Sequence, residues 1–135
     1  MLPPDSELWL DGAHNPAAAR AVADFFHGHV RAERPFHIVL GVLANKDAAG
    51  ILKPFAGREV TIHAVAVPGH ASHPPAELVV AARGAGLTAL AASDVEGALG
   101  WIGRHAERGR PPIVLILGSL YLAGDVLRRS GSAPA

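Results

Sequence analysis

Residues 8–26, LWLDGAHNPAAARAVADFF, decide the fold. Leu8-Trp9-Leu10 is a short apolar run that reads as a strand ending at Asp11. Asp11-Gly12-Ala13-His14-Asn15-Pro16 is a tight polar turn, and an alanine-rich helical pattern follows over residues 17–30. Pro16 suits the first helical position, where its missing N–H would have no partner anyway. The result is a strand, a turn carrying an acid, an imidazole and an amide, and then a helix.

The same alternation runs outward from this unit. FHIVLGV (36–42), VTIHAVAV (60–67), a weaker strand at 87–91 and IVLIL (113–117) are the other strands. Between them lie helices at 47–55, bent or ended near Pro54, at 75–83, from Ser93 to about Arg108, and at 119–129. Ser93 with Glu96 three residues on reads as a capping box. Gly84 and Gly86 end the third helix, and the tail at 131–135 is expected to fray. Several strands are apolar throughout, as in parallel sheets covered on both faces. These features predict one α/β domain over residues 1–130. Its expected form is a three-layer, Rossmann-like fold, with a mostly parallel sheet of about five or six strands flanked by helices.

Composition narrows the function. The 135 residues suit one domain, and 50% are apolar, enough for a sizeable core. Twelve basic residues balance twelve acidic ones. That balance argues against a broad nucleic-acid footprint, which needs a basic stripe. With no cysteine, disulfides, zinc–thiolate sites and thiol nucleophiles are excluded. The start MLPPDSELW lacks the basic and apolar regions of a signal peptide. No apolar run reaches the roughly 20 residues that span a bilayer. A cytoplasmic, membrane-free protein is the expectation.

Ligands of open α/β sheets bind beyond the carboxyl ends of the strands. Read there, the first strand delivers Asp11, His14 and Asn15. The second delivers Gly41, Asn45, Lys46 and Asp47. The third delivers His70, Ser72 and His73, and the fifth Gly118, Ser119 and Tyr121. The fourth offers little beyond Ser93 and Asp94. Each has a plainer reading: Asp11 and Asn15 as helix caps, His14 as a surface turn, Lys46 as a solvated lysine, Ser119 as a cap and Tyr121 as core. His70 and His73 lack a nearby acidic partner, so no metal site is expected from them, and His27 and His29 read as solvated. GAGLTA (84–89) matches a dinucleotide fingerprint but leaves a helix and enters a strand, the reverse of the required context. LGSLY is not a nucleophile elbow.

LDGAHNP, GVLANKD and a late apolar strand running into GSLYLAG together resemble folylpolyglutamate synthase/dihydrofolate synthase, a branch of the ATP-dependent Mur ligase superfamily. The resemblance covers nearly the whole chain and matches the C-terminal, glutamate-ligase domain of those enzymes. It implies ligation of L-glutamate to dihydropteroate or a folate in folate biosynthesis. ATP phosphorylates the carboxylate, and the amine then attacks the acyl phosphate, giving an amide, ADP and phosphate. ATP and Mg2+ are the implied cofactors. Most magnesium ligands are expected in an N-terminal ATPase domain, because no G-x-x-x-x-G-K-[ST] occurs here.

The resemblance implies roles for single residues. Asp11 contacts the nucleotide, with Asn15 holding the turn beside it. His14 is the catalytic candidate, near the phosphates and the activated carboxyl. Lys46, Ser119 and Tyr121 are implied glutamate-binding residues, and no residue is assigned to a metal. The partners implied are ATP, L-glutamate, dihydropteroate or a folate, and the N-terminal ATPase domain. The domain alone is expected to be inactive. Two alternatives stand beside this reading: a stand-alone module that binds nucleotide or glutamate, and a cell-wall Mur-type ligase domain.

Overall fold

The computed structural model describes residues 2–29 and 34–129. Its elements are β1 (Glu7–Asp11), α1 (Pro16–His29), β2 (Phe36–Leu40), α2 (Ala48–Leu52) with a 3-10 turn over Lys53–Phe55, β3 (Thr61–Ala64), α3 (Pro75–Gly84), β4 (Thr88–Ala91), α4 (Val95–His105), β5 (Ile113–Leu117) and α5 (Leu120–Arg129). The five strands form one sheet in the order β1-β5-β2-β3-β4, and every neighbouring pair is parallel. The predicted tail, 131–135, lies outside the described residues.

The side chains of the inner strands alternate between two helix layers. Ile38, Leu40, Ile62, Leu115 and Leu117 pack with α1, α2 and α3 through residues such as Ala23, Phe26, Ile51 and Leu78. Val39, Val65, Val114 and Ile116 pack with Val95, Ala98 and Ile102 of α4 and Leu122 of α5. Three layers follow from these two apolar surfaces.

Two local expectations about α4 are corrected. Asp94, not Ser93, caps α4: its carboxylate accepts from the Gly97 N–H at 2.7 Å, a carboxylate being at least as good a cap as a hydroxyl. That helix also stops at His105, short of Arg108. The first strand is not covered on both faces. As the sheet's edge it leaves Leu8, Trp9 and Leu10 exposed. Trp9 packs edge-to-face on Phe25 and Phe26 at 5.5 Å each. At its start, Glu7 binds Arg34 at 2.6 Å and His29 at 2.8 Å, which holds the Glu7 carboxyl below its usual range, chiefly through the His29 hydrogen bond.

One register row marks the end of the sheet that matters. Asp11 lies opposite Leu117, Leu117 opposite Leu40, Leu40 opposite Ala64, and Ala64 opposite Ala91. The loops that follow therefore start at one level. After β2 the chain turns into the α1–α3 layer, and after β5 into the α4–α5 layer. The two connections part between β2 and β5, which makes a topological switch point, the ordinary place for a ligand crevice.

Candidate functional site

The β1–α1 turn is held by its own polar side chains. The Asp11 Oδ1 accepts from the Ala13 N–H at 2.8 Å. The Asn15 Oδ1 accepts from the Ala18 N–H at 2.9 Å and so caps α1. Between them the His14 Nδ1 lies 3.1 Å from the Gly12 carbonyl oxygen. A carbonyl can only accept, so Nδ1 carries the hydrogen. Nε2 is then a base when the ring is neutral and a donor when it is charged. Ala13 is buried and anchors the turn in the core. The plain capping role is thus real for Asn15, whereas Asp11 closes the turn ahead of the helix, and each of Asp11 and His14 keeps one further polar atom for a ligand.

The β2–α2 loop meets this turn. Asp47 caps α2 by accepting from the Gly50 N–H at 2.9 Å. Gly50 leaves no room for a side chain, since a Cβ there would stand 2.7 Å from the Pro16 ring. The starts of α1 and α2 thus touch. Lys46, half-buried, precedes the Asp47 cap.

The β3–α3 loop is sewn to the β2–α2 loop. Ala44 N–H donates to Ala71 O at 3.0 Å, His73 N–H to Val42 O at 2.8 Å, and the His73 Nε2 to the Lys46 carbonyl at 2.8 Å. His73 is therefore a brace for the backbone of Lys46. His70 instead stacks on Tyr121.

The β5–α5 turn completes the edge. Ser119 is 2% exposed, and its Oγ accepts from the Tyr121 N–H at 3.1 Å, capping α5. Its hydroxyl keeps a proton to donate. Tyr121 is not core: it is 52% exposed. Among the described residues no hydrogen bond joins Lys46 to Ser119 or Tyr121. The link between them runs through the β3–α3 loop. Asp94, after β4, is spent on its helix cap. No group of three or more His, Asp or Glu side chains that could hold a metal ion occurs among the described residues.

One constellation escaped the sequence reading. On the α4 side of the sheet His37 and His63, on neighbouring strands, share a hydrogen bond of 2.9 Å between the His37 Nδ1 and the His63 Nε2. Trp101 of α4 covers His63 at 5.2 Å, and His105 stacks on Trp101 at 3.9 Å. Burial pushes both His37 and His63 down to about 4. The signal was a histidine within each of two otherwise apolar strands. Among the described residues no hydrogen bond joins this pair to Asp11, Lys46 or Ser119, although His63 directly precedes Ala64 at the end of β3.

Comparisons with known proteins bear on the family and the fold. A family profile described as "Dihydrofolate synthetase, C-terminal domain" matches residues 3–129. The chain belongs to that family. A solved folylpolyglutamate synthase of Mycobacterium tuberculosis complexed with ADP superposes with a TM-score of 0.78 at 23% identity, over 95% of this chain and 30% of that one. The bifunctional folylpolyglutamate synthase/dihydrofolate synthase of Yersinia pestis, complexed with AMPPNP and Mn, gives 0.77 at 26% identity, over 92% of this chain and 28% of that one. A bifunctional synthase with Mn, AMPPNP and L-glutamate bound gives 0.78 at 24% identity, over 97% and 30%. The chain spans less than a third of these solved chains. No curated protein matches it. Its sheet, five parallel strands between two helix layers, is the fold these synthases share with it. Among the described residues no helix is long and apolar enough to cross a membrane.

Proposed function

We propose that this chain is the glutamate-ligase domain of an ATP-dependent enzyme that joins L-glutamate to dihydropteroate or a folylpolyglutamate. The observation that carries the reading is the common level of Asp11, Leu117 and Leu40. It sets LDGAHNP, GSLYLAG and GVLANKD side by side around the β2/β5 switch point. An ATPase domain, the other wall of the cleft, is assigned to the remainder of the enzyme, as is the magnesium that accompanies ATP.

ATP supplies the phosphoryl group that activates the carboxylate. This chain's residues then bind, orient and move protons. Asp11, with Oδ1 committed to Ala13, offers Oδ2 to a sugar hydroxyl, while Asn15 keeps the turn in place. His14 presents Nε2, because Nδ1–H is held by Gly12. Charged, that atom donates to the negative charge developing on the activated carboxyl. Neutral, it takes a proton from the incoming amine. Lys46 and Ser119 receive the carboxylates of L-glutamate, the first as a cation and the second through its hydroxyl at the start of α5. Tyr121 walls the pocket. Holding the amine against the acyl carbon is the larger part of the work.

The bound L-glutamate and AMPPNP of the similar bifunctional synthase support this choice of substrates. The test is ligation: with its ATPase domain the enzyme releases ADP only when L-glutamate and a pteroate or folate acceptor are both present, and this chain alone releases none. A stand-alone binding module would instead bind ATP or L-glutamate tightly by itself in a calorimetric titration, and no ATPase domain would add turnover.

A further inference from the structure

The β3–α3 loop reaches across the cleft edge to α5. The His70 imidazole lies flat on the Tyr121 ring, with centroids 3.8 Å apart and planes 19° from parallel. Behind that ring the loop is fastened. Ser72 Oγ accepts from the Val67 N–H at 3.1 Å. Ser72 also bridges Leu43, and His73 holds the Lys46 carbonyl at 2.8 Å. Gly69, at a φ of 75° that favours glycine, makes the turn that presents His70.

The consequence is a rigid path from the backbone of Lys46 to the ring of Tyr121. Tyr121 is 52% exposed, so little core packing selects its rotamer. Among the described residues the stack with His70, itself exposed, is the ring contact that orients Tyr121. His70 and His73 thus divide the labour of one loop, His73 acting inward on Lys46 and His70 outward on Tyr121.

We propose that His70 is a positioning residue for the incoming amino acid: stacked on Tyr121, it sets that ring as one wall of the subsite at a fixed separation from Lys46, and so measures the length of an α-amino dicarboxylate. The inference rests on the ligase reading above and deepens it. It asks of His70 a flat ring, not a titrating nitrogen.

Steady-state kinetics of the complete enzyme test it. His70→Ala raises the KM for L-glutamate about tenfold and leaves the KM for ATP within about twofold, and the preference for L-glutamate over L-aspartate shrinks by a similar factor. His70→Phe, which keeps a ring for the stack, restores the L-glutamate KM to within about threefold of wild type. Tyr121→Ala matches His70→Ala, and the double variant is no worse than either alone. An unchanged L-glutamate KM in His70→Ala overturns the proposal, as does an equal rise in both KM values. A His70→Phe variant as impaired as His70→Ala also overturns it, since a nitrogen would then be acting on the ligand. A wild-type enzyme with no glutamate-dependent product removes the ligase reading, and the inference with it. An active wild type with an indifferent His70→Ala removes the inference alone.

Discussion

Gly118 sits so close to Gly41 that a Cβ built on Gly118 would run into the Gly41 carbonyl oxygen. Its φ of 112° is one that side chains rarely adopt. Gly41 in turn has the Leu122 methyl 2.9 Å from where its own Cβ would be. The two glycines let β2 and β5 end against each other at the switch point, with Ser119 next in line. Gly118→Ala is therefore expected to cost about 2–4 kcal/mol, through strain and a forced shift of β2. Gly84→Ala, which meets open space, should stay within about 1 kcal/mol of wild type. Urea midpoints of the two variants decide this, and equal midpoints would contradict the close approach.

His37 and His63 make stability depend on pH. Both titrate near 4 when folded, against 6.5 for a free imidazole, because burial disfavours their charged forms. Between these values the unfolded chain binds more protons than the folded one. Stability is then fully present above about pH 6.5 and falls as pH drops towards 4, by an amount on the order of 2–5 kcal/mol for the pair. Replacing both with leucine should flatten that slope. Denaturation curves at pH 7, 5.5 and 4.5 measure it, and an unchanged slope in the double variant would place the dependence elsewhere.

Asp11 and His14 separate fold from function. Asp11→Asn keeps the Oδ1 acceptor for Ala13, so the turn and the stability should survive to within about 1 kcal/mol. The lost charge should raise the KM for ATP in the complete enzyme about tenfold. If Nε2 acts on the reacting groups as proposed, His14→Ala lowers kcat by about 10²-fold or more, with the KM for ATP little changed. Near-normal turnover in His14→Ala would remove the imidazole from the mechanism.

The outer edge of β1 carries Leu8 at 47% and Leu10 at 36% exposure. An open apolar edge is a template for pairing. Solutions of this chain are expected to associate as concentration rises, and Leu8→Lys should reduce the effect with stability within about 0.5 kcal/mol. Sedimentation velocity over a hundredfold concentration range distinguishes this from a chain that stays monomeric throughout.

Much of this was legible in the sequence because two periods alternate cleanly. Apolar runs such as IVLIL carry no polar residue, and that alone placed them in a sheet covered on both faces. Turn chemistry fixed the ends: Pro16, Asp47 and Ser119 each open a helix where their types predict. The order of strands was not legible, since β5 slips between β1 and β2 through contacts distant in sequence. The edge position of β1 follows from that order, so the exposure of Leu8–Leu10 was hidden as well. The candidate residues of three loops were visible because they lie at strand ends. The His70–Tyr121 stack and the His37–His63 pair were not, for each joins residues whose meeting depends on strand neighbours. Ser93 and Asp94 are adjacent residues of similar capping strength, so the capping-box pattern does not reveal that the helix starts one residue later, with Asp94 as its cap.

On the proposed reading this chain supplies the amino-acid half of a folate–glutamate ligase. The most direct measurement is ADP release and product mass for the chain united with its ATPase domain, with dihydropteroate or a reduced folate as acceptor. The expected result is one ADP per added glutamate, a product heavier by one glutamyl residue, and no turnover when L-glutamate is left out. A well-folded enzyme that hydrolyses ATP at the same rate with or without L-glutamate, and yields no glutamylated product, would contradict it.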